Sequence, residues 1–263
     1  LPVDGTGTIA LADLRDAVTP DTALVSVMWA NNETGAIQPV GAAADIAQAR
    51  GALFHTDAVQ AAGRVPIKVD AVNADLLTLS AHKMHGPKGI GALFIRKGVP
   101  FTPLIHGHQE RHRRGGTENV PAIVGFGAAA GRAAAMVAEA GDMAILRDRL
   151  ERGVLAGWPG SRVNGEGADR LSNTSNIRFA DPQGRPLDAE ELLMRLDRAG
   201  IAVSMGAACA SGGNEPSHVL TAMGLTPAEA AASLRFSLSR YNTAEEVESV
   251  LNEFPALYAR IAA

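Results

Sequence analysis

Residues 23–58 switch between two hydrophobic periods, and that switch limits the fold more than any other feature. Residues 23–29 (ALVSVMW) are mainly apolar and rich in β-branched side chains. They stop at the polar turn Asn31-Asn32-Glu33-Thr34-Gly35, as a buried strand ending in a loop would. Residues 40–50 (VGAAADIAQAR) put Val40, Ala44 and Ala47 on one helical face, with Gly51 placed to end the helix. A second apolar stretch, 52–55, then runs into Thr56-Asp57. Strand, helix, strand is the grammar of a parallel sheet buried on both faces. Further strands are expected at 75–80 and 91–96, on either side of the glycine-punctuated SAHKMHGPKGIG. The Arg- and His-rich stretch 101–119 reads as a long loop. An Ala-rich helix of about 20 residues is expected from Pro121, and a second over about 142–158.

Beyond residue 140 the order becomes mixed. A strand is expected at 175–179, a helix at 187–199, a strand at 201–204, a glycine-flanked loop holding Cys209, a short helix from Ser217 and a strand at 234–239. A last helix opens on the capping box Thr243-x-x-Glu246. The reading is α/β, with a mainly parallel large domain over 1–140 and a small α+β domain over 141–263.

Composition removes several function classes. The chain has 263 residues, 46% hydrophobic and 20% charged, which is globular rather than disordered. One cysteine excludes a disulfide framework and a cysteine-rich metal site, and fits a reducing compartment. A net charge of −4 gives no nucleic-acid-binding surface; Arg111, Arg113 and Arg114 alone are weak evidence for one. No apolar run reaches the ~18 residues of a membrane span. His55, His82, His85, His106, His108 and His112 match no standard zinc spacing, so no metal is expected.

Four residues could carry chemistry. Lys83 follows a predicted strand, and ligands of open α/β sheets gather at strand carboxyl ends. A lysine there is either a surface loop residue or a Schiff-base former. Asp57 ends another strand, as a helix N-cap or as the carboxylate that keeps a pyridine nitrogen protonated. Cys209 has small neighbours on both sides, which suits an exposed nucleophile better than a packed core. Arg235 interrupts the strand LRFSLS, either as a structural ion pair or as a fork for a substrate carboxylate.

The stretches NNETG (31–35), HTDAVQAAG (55–63), SAHKMHGPKGIGAL (80–93), RRGGTENV (113–120), SMGAACASG (204–212), EPSHVL (215–220) and LRFSLSRYNTAEEV (234–247), in this order, resemble the NifS/IscS type of cysteine desulfurase. These are pyridoxal 5'-phosphate (PLP) enzymes of aminotransferase class V and fold type I. The resemblance implies that Lys83 holds the cofactor as a Schiff base and that Asp57 faces its pyridine nitrogen. Gln60 and Asn32 would lie near its phenolic oxygen, with Asn32 also near the substrate carboxylate. Ser80 and His82 would bind the phosphate, joined by Thr117 from the other subunit of a homodimer. Arg235 would grip the substrate carboxylate. Cys209, Lys83 and His82 would form the catalytic set, with Cys209 attacking the sulfur of L-cysteine and holding it as a persulfide.

A sulfur-acceptor or iron–sulfur scaffold protein would then be the partner, and the cytoplasm the location. Two alternatives stand beside this: a selenocysteine lyase or other β-eliminating relative, and a non-catalytic fragment that keeps a dimerisation or partner surface. Family members are longer, so Leu1 is expected to fall partway through the large domain. The phosphate-binding Gly/Thr turn and the ring-stacking histidine of the family would precede it. A chain of these residues alone is then expected to retain PLP weakly, fold poorly and show little activity.

Overall fold

The computed structural model describes residues 1–206 and 215–261, the last two by backbone only. The chain forms two compact units. One, the Lys83 unit, comprises Arg15–Trp29 and Val40–Val137; the other, the C-terminal unit, comprises Leu1–Leu14, Ala30–Pro39 and Ala138–Ala263. The chain passes from the Lys83 unit to the C-terminal unit for the last time between Val137 and Ala138. Residues 1–14 and the NNETG stretch, expected in the first domain, instead group with the C-terminal unit.

Helix α1 (Leu11–Ala17) opens the chain and buries Leu14. In the Lys83 unit follow β1 (Leu24–Met28), α2 (Val40–Gln48), β2 (Leu53–Asp57), the single turn α3 (Val69–Val72), β3 (Leu76–Ser80) and β4 (Gly91–Ile95). They form a four-stranded sheet of order β1-β2-β3-β4. The first three strands are parallel, with Met28 opposite Asp57 and Asp57 opposite Thr78; β4 returns antiparallel, Gly91 opposite Ser80. Helix α2 packs on β1 and β2 through Val40, Ala43, Ala44 and Ala47, and small side chains let it lie close to the sheet. It ends where the sequence says it should, since Gly51 adopts φ +80°, which costs a glycine nothing.

Burial on both faces, expected from the parallel pattern, is not what this sheet shows. In β1, Val25 and Val27 are buried while Leu24 and Ser26 are exposed, and in β4 Gly91 to Phe94 are all exposed. One face of the edge strand β1 is packed, and the opposite edge strand, β4, is bare.

The unit closes with a four-residue helical turn α4 (Gln109–His112), α5 (Val120–Gly131) and α6 (Ala133–Ala138). The Asn119 side chain accepts from the Ala122 N–H and Pro121 sits in the first turn, both standard helix starts. The expected single helix is interrupted at Arg132. Here the expectation about membrane-length segments is corrected. Val120–Ala138 is 19 residues with a mean hydropathy of 1.5 and only 6% of its window buried, long and apolar enough by length and composition to span a bilayer. Much of its length is Ala and Gly, and Arg132 lies inside it, where a charge costs about 2.5–3.5 kcal/mol at a bilayer centre.

The C-terminal unit contains α7 (Ala140–Gly157), β5 (Arg162–Val163), β6 (Thr174–Arg178), α8 (Ala189–Arg198), β7 (Ser204–Met205), α9 (His218–Ala222), α10 (Pro227–Ala231), β8 (Ser233–Ser237) and α11 (Ala244–Ile261). Its sheet, ordered β5-β6-β8-β7, is antiparallel throughout, as an α+β domain requires. Helices α7, α8 and α11 bury Leu150, Val154, Leu192, Leu196, Val247 and Phe254 in one core with Ile177, Leu234 and Phe236 of the strands. Trp158 sits fully buried at its centre, edge-on to Phe179 at 5.2 Å and Tyr258 at 5.2 Å, and its indole N–H donates to the Ala180 carbonyl at 2.9 Å. The strand expected at 201–204 reduces to Ser204–Met205, because Ile201 and Val203 pack on the core without pairing.

Candidate active site

Because β1, β2 and β3 are parallel, their carboxyl ends share one edge of the sheet. That register puts Asp57, at the end of β2, beside the end of β3, where Ser80 leads into a 3-10 turn (Ala81–Met84) carrying His82 and Lys83. The turn closes on His85 in a left-handed conformation, φ 60°. Asp57 Oδ1 accepts from the Val59 N–H at 2.8 Å; among the described residues its other oxygen accepts no hydrogen bond. Ser80 Oγ and His82 Nδ1 are hydrogen-bonded at 2.8 Å. Gln60 follows Asp57 in the turn after β2. Thr117 is exposed in the loop after α4, where Arg114 donates to the Gly116 carbonyl at 2.7 Å.

His55 crosses the same edge. Its ring is hydrogen-bonded to Ser26 Oγ at 2.7 Å and to Thr78 Oγ1 at 2.8 Å, linking three strands. Burial pulls its pKa below the ordinary histidine value, against the opposing pull of the Asp57 carboxylate. Arg64, at the end of the turn after β2, donates to the carbonyls of Gln60 at 2.8 Å and Lys83 at 3.3 Å, and burial lowers its pKa too.

In the C-terminal unit the NNETG stretch is a turn shaped by Asn31, whose buried Oδ1 accepts from the N–H groups of Glu33 at 2.8 Å and Thr34 at 3.0 Å. Asn32 is held by its carbonyl, which accepts from Arg235 Nη1 at 3.0 Å; the same nitrogen donates to the Gly206 carbonyl at 3.3 Å. Arg235 projects from β8 between Asn176 of β6 and Ser204 of β7. Cys209, the expected nucleophile, lies outside the described residues, but both flanks of its stretch are visible. Ser217 donates to Glu33 Oε2 at 2.5 Å and, as the N-cap of α9, accepts from the Leu220 N–H. A Cβ on Gly206 would lie 3.7 Å from both Glu33 Oε2 and Ser217 Cβ. Glu33, only 1% exposed, thus sits where the two flanks meet.

Lys83, Asp57, Gln60, Ser80 and His82 are therefore collected on one sheet edge, and Asn32 and Arg235 lie together in the other unit. Sequence reasoning overlooked Glu33 and Arg64. Glu33 sits within a quoted motif and Arg64 just beyond another, yet both partner groups far along the chain.

An acid and an amine at adjacent strand ends, with a hydroxyl and an imidazole alongside, form a donor set suited to PLP, and an Asp57 oxygen is uncommitted for a ring N–H. The fold is that of the PLP-dependent proteins of fold type I. The chain belongs to the class-V aminotransferase family, whose model matches residues 1–250 and whose cofactor is PLP. It is 52% identical over 264 residues to a cysteine desulfurase of Cereibacter sphaeroides, covering 100% of this chain and 66% of the relative. A solved NifS-like protein superposes with a TM-score of 0.88 at 39% identity, over 99% of this chain and 67% of that one. SspA, solved in complex with cysteine, matches with a TM-score of 0.75 at 34% identity, over 92% and 66%. The chain spans about 65% of the length of the curated relatives it matches. The helix Val120–Ala138 falls inside both the family match and the superposition, as an element of the family's fold.

Proposed function

We propose that the protein is a cysteine desulfurase, which converts L-cysteine to L-alanine and leaves the sulfur as a persulfide on Cys209. The observation that carries this is the register of Asp57 beside the strand that delivers Lys83, in a chain about half identical to a cysteine desulfurase. When bound, PLP supplies an electron sink for the substrate α-carbon.

This chain's residues do the rest. The Asp57 carboxylate holds the proton on the ring nitrogen, without which the sink is shallow. Ser80 and His82 bind the phosphate, with Thr117 contributed by the second subunit of a homodimer, and Gln60 and Asn32 flank the phenolic oxygen. Arg235 orients the substrate carboxylate while it donates to the Asn32 carbonyl. Lys83 Nζ takes the proton from the α-carbon. The Cys209 thiolate then attacks the substrate sulfur: an S–S bond forms, the substrate's C–S bond breaks, and its electron pair ends, with a proton, on the β-carbon of alanine. The resulting persulfide is passed to an acceptor such as an iron–sulfur scaffold protein in the reducing cytoplasm, where a lone thiol stays unpaired.

Two variants test the assignment. Cys209→Ser should keep the visible absorbance of the lysine-linked cofactor and lose alanine release, whereas Lys83→Ala should lose both. Alanine release by Cys209→Ser at the parent rate would overturn the reading.

A further inference from the structure

Two neighbouring residues of the NNETG turn hold the two flanks of the stretch that carries Cys209, one through Arg235 and one directly. Gly206, before that stretch, has a carbonyl that accepts from Arg235 Nη1 at 3.3 Å, and the same nitrogen donates to the Asn32 carbonyl at 3.0 Å. Ser217, after it, donates to Glu33 Oε2 at 2.5 Å. The flanks meet across Glu33, since a Cβ on Gly206 would be in ordinary van der Waals contact, 3.7 Å, with both Glu33 Oε2 and Ser217 Cβ. The main chain of Glu33 is fastened as well. Its N–H donates to Asn31 Oδ1 at 2.8 Å, and its carbonyl accepts from Asn176 Nδ2 at 3.3 Å. Asn176 is fully buried in β6, where its Oδ1 accepts from Asn164 Nδ2 at 2.7 Å. Glu33 is thus tied to the packed sheet of the C-terminal unit.

A carboxyl is costly to bury compared with an apolar side chain of its size, and Glu33 is buried all the same. What it holds is Ser217, whose hydroxyl gives its proton to Glu33 and accepts from the Leu220 N–H at 3.2 Å. Helix α9 has five residues, too few to start unaided. Its position is set from outside, by Glu33 at its start and by Leu220 packed with Met223 and Ala230.

We propose, on the reading of Cys209 as the sulfur-accepting nucleophile, that Glu33 is a positioning residue for the sulfur-transfer step: it keeps Ser217 beside Gly206 and gives the Cys209 stretch a fixed base next to Arg235. Fixing both ends of a segment lowers the entropy lost when a thiol on it must meet one point, so the base acts on the rate of attack. Steps that precede the attack do not draw on it.

Two readouts test this on the full chain. The first, hydrogen exchange followed by peptide mass, needs neither cofactor nor turnover. In Glu33→Ala the peptide over 215–222 should exchange about tenfold faster than in the parent, beyond any acceleration shared with α7 and α11. Equal acceleration in all three reports lost overall stability alone and overturns the proposal. So does a parental 215–222 peptide that exchanges like an unfolded chain, a result that needs no folded variant. The second readout uses protein supplied with PLP and L-cysteine. Glu33→Ala should lower the kcat for alanine release about tenfold, with KM little changed. Glu33→Gln, whose amide oxygen still accepts from Ser217, should restore the rate to within about threefold. Exchange of the substrate α-hydrogen with solvent deuterium, followed in a Cys209→Ser background, should be the same with and without Glu33→Ala. Parental kcat in a folded Glu33→Ala, or loss of that α-hydrogen exchange, overturns the positioning role. Failure of the desulfurase reading shows differently: the parent itself would then make no alanine, while the 215–222 peptide would still report whether Glu33 holds that flank.

Discussion

Glu33 and Ser217 are 184 residues apart in the chain and meet at 2.5 Å. No periodicity carries such a contact, which is why the NNETG motif was legible as a turn but its acid was not legible as an anchor. Glu33→Ala strands the Ser217 hydroxyl and should lower stability by about 1–3 kcal/mol in urea titrations, with Glu33→Gln, which keeps an acceptor, losing less. Asp57 and Lys83 could be singled out because one ends an apolar run and the other follows one closely, and strand ends are where open sheets hold ligands. His55 carries a pH dependence of its own. Burial depresses its pKa in the folded state, so below the unfolded value of about 6.5 the unfolded chain takes the proton more readily. Stability is therefore full above that value and is lost as pH falls through it, until the folded ring protonates too. The thermal midpoint should drop more between about pH 7.5 and 5.5 in the parent than in His55→Gln; equal drops would exclude this histidine as the source.

At the scale of elements, what the sequence made legible was whatever had a local cause. The α11 capping box is there, Thr243 and Glu246 each bonding the other's backbone N–H. A second box at α10, Thr226 with Glu229, escaped notice because the helix it opens has only five residues, too few to show a period. Thr226→Ala removes that cap and should cost about 1 kcal/mol. Length misled in the other direction at 201–204, where an apolar run that looks like a strand spends Ile201 and Val203 on the core. The Ala-rich helix was found but not its interruption at Arg132, since alanine favours helix on both sides. Trp158 packs against Phe179, Phe254 and Tyr258, and Trp158→Ala should destabilise by about 3–5 kcal/mol, read from the denaturation midpoint.

For the molecule as a whole, the α/β class was visible in the alternation of strand and helix over 23–58. The membership of residues 1–14 and 30–39 in the C-terminal unit was not, because chain order says nothing about which core a segment joins. The bare faces of β1 and β4 likewise have no local signature, for an apolar strand reads the same whether covered or open. The proposed function makes one chemical claim: sulfur leaves cysteine for Cys209. The direct measurement is a single turnover, protein supplied with PLP and one equivalent of L-cysteine, read by intact mass and peptide mapping together with alanine. The account predicts a chain heavier by one sulfur atom, the added sulfur on the Cys209 peptide, and alanine in equal amount. Alanine formed without sulfur on Cys209, or sulfur bound with no alanine, would contradict it.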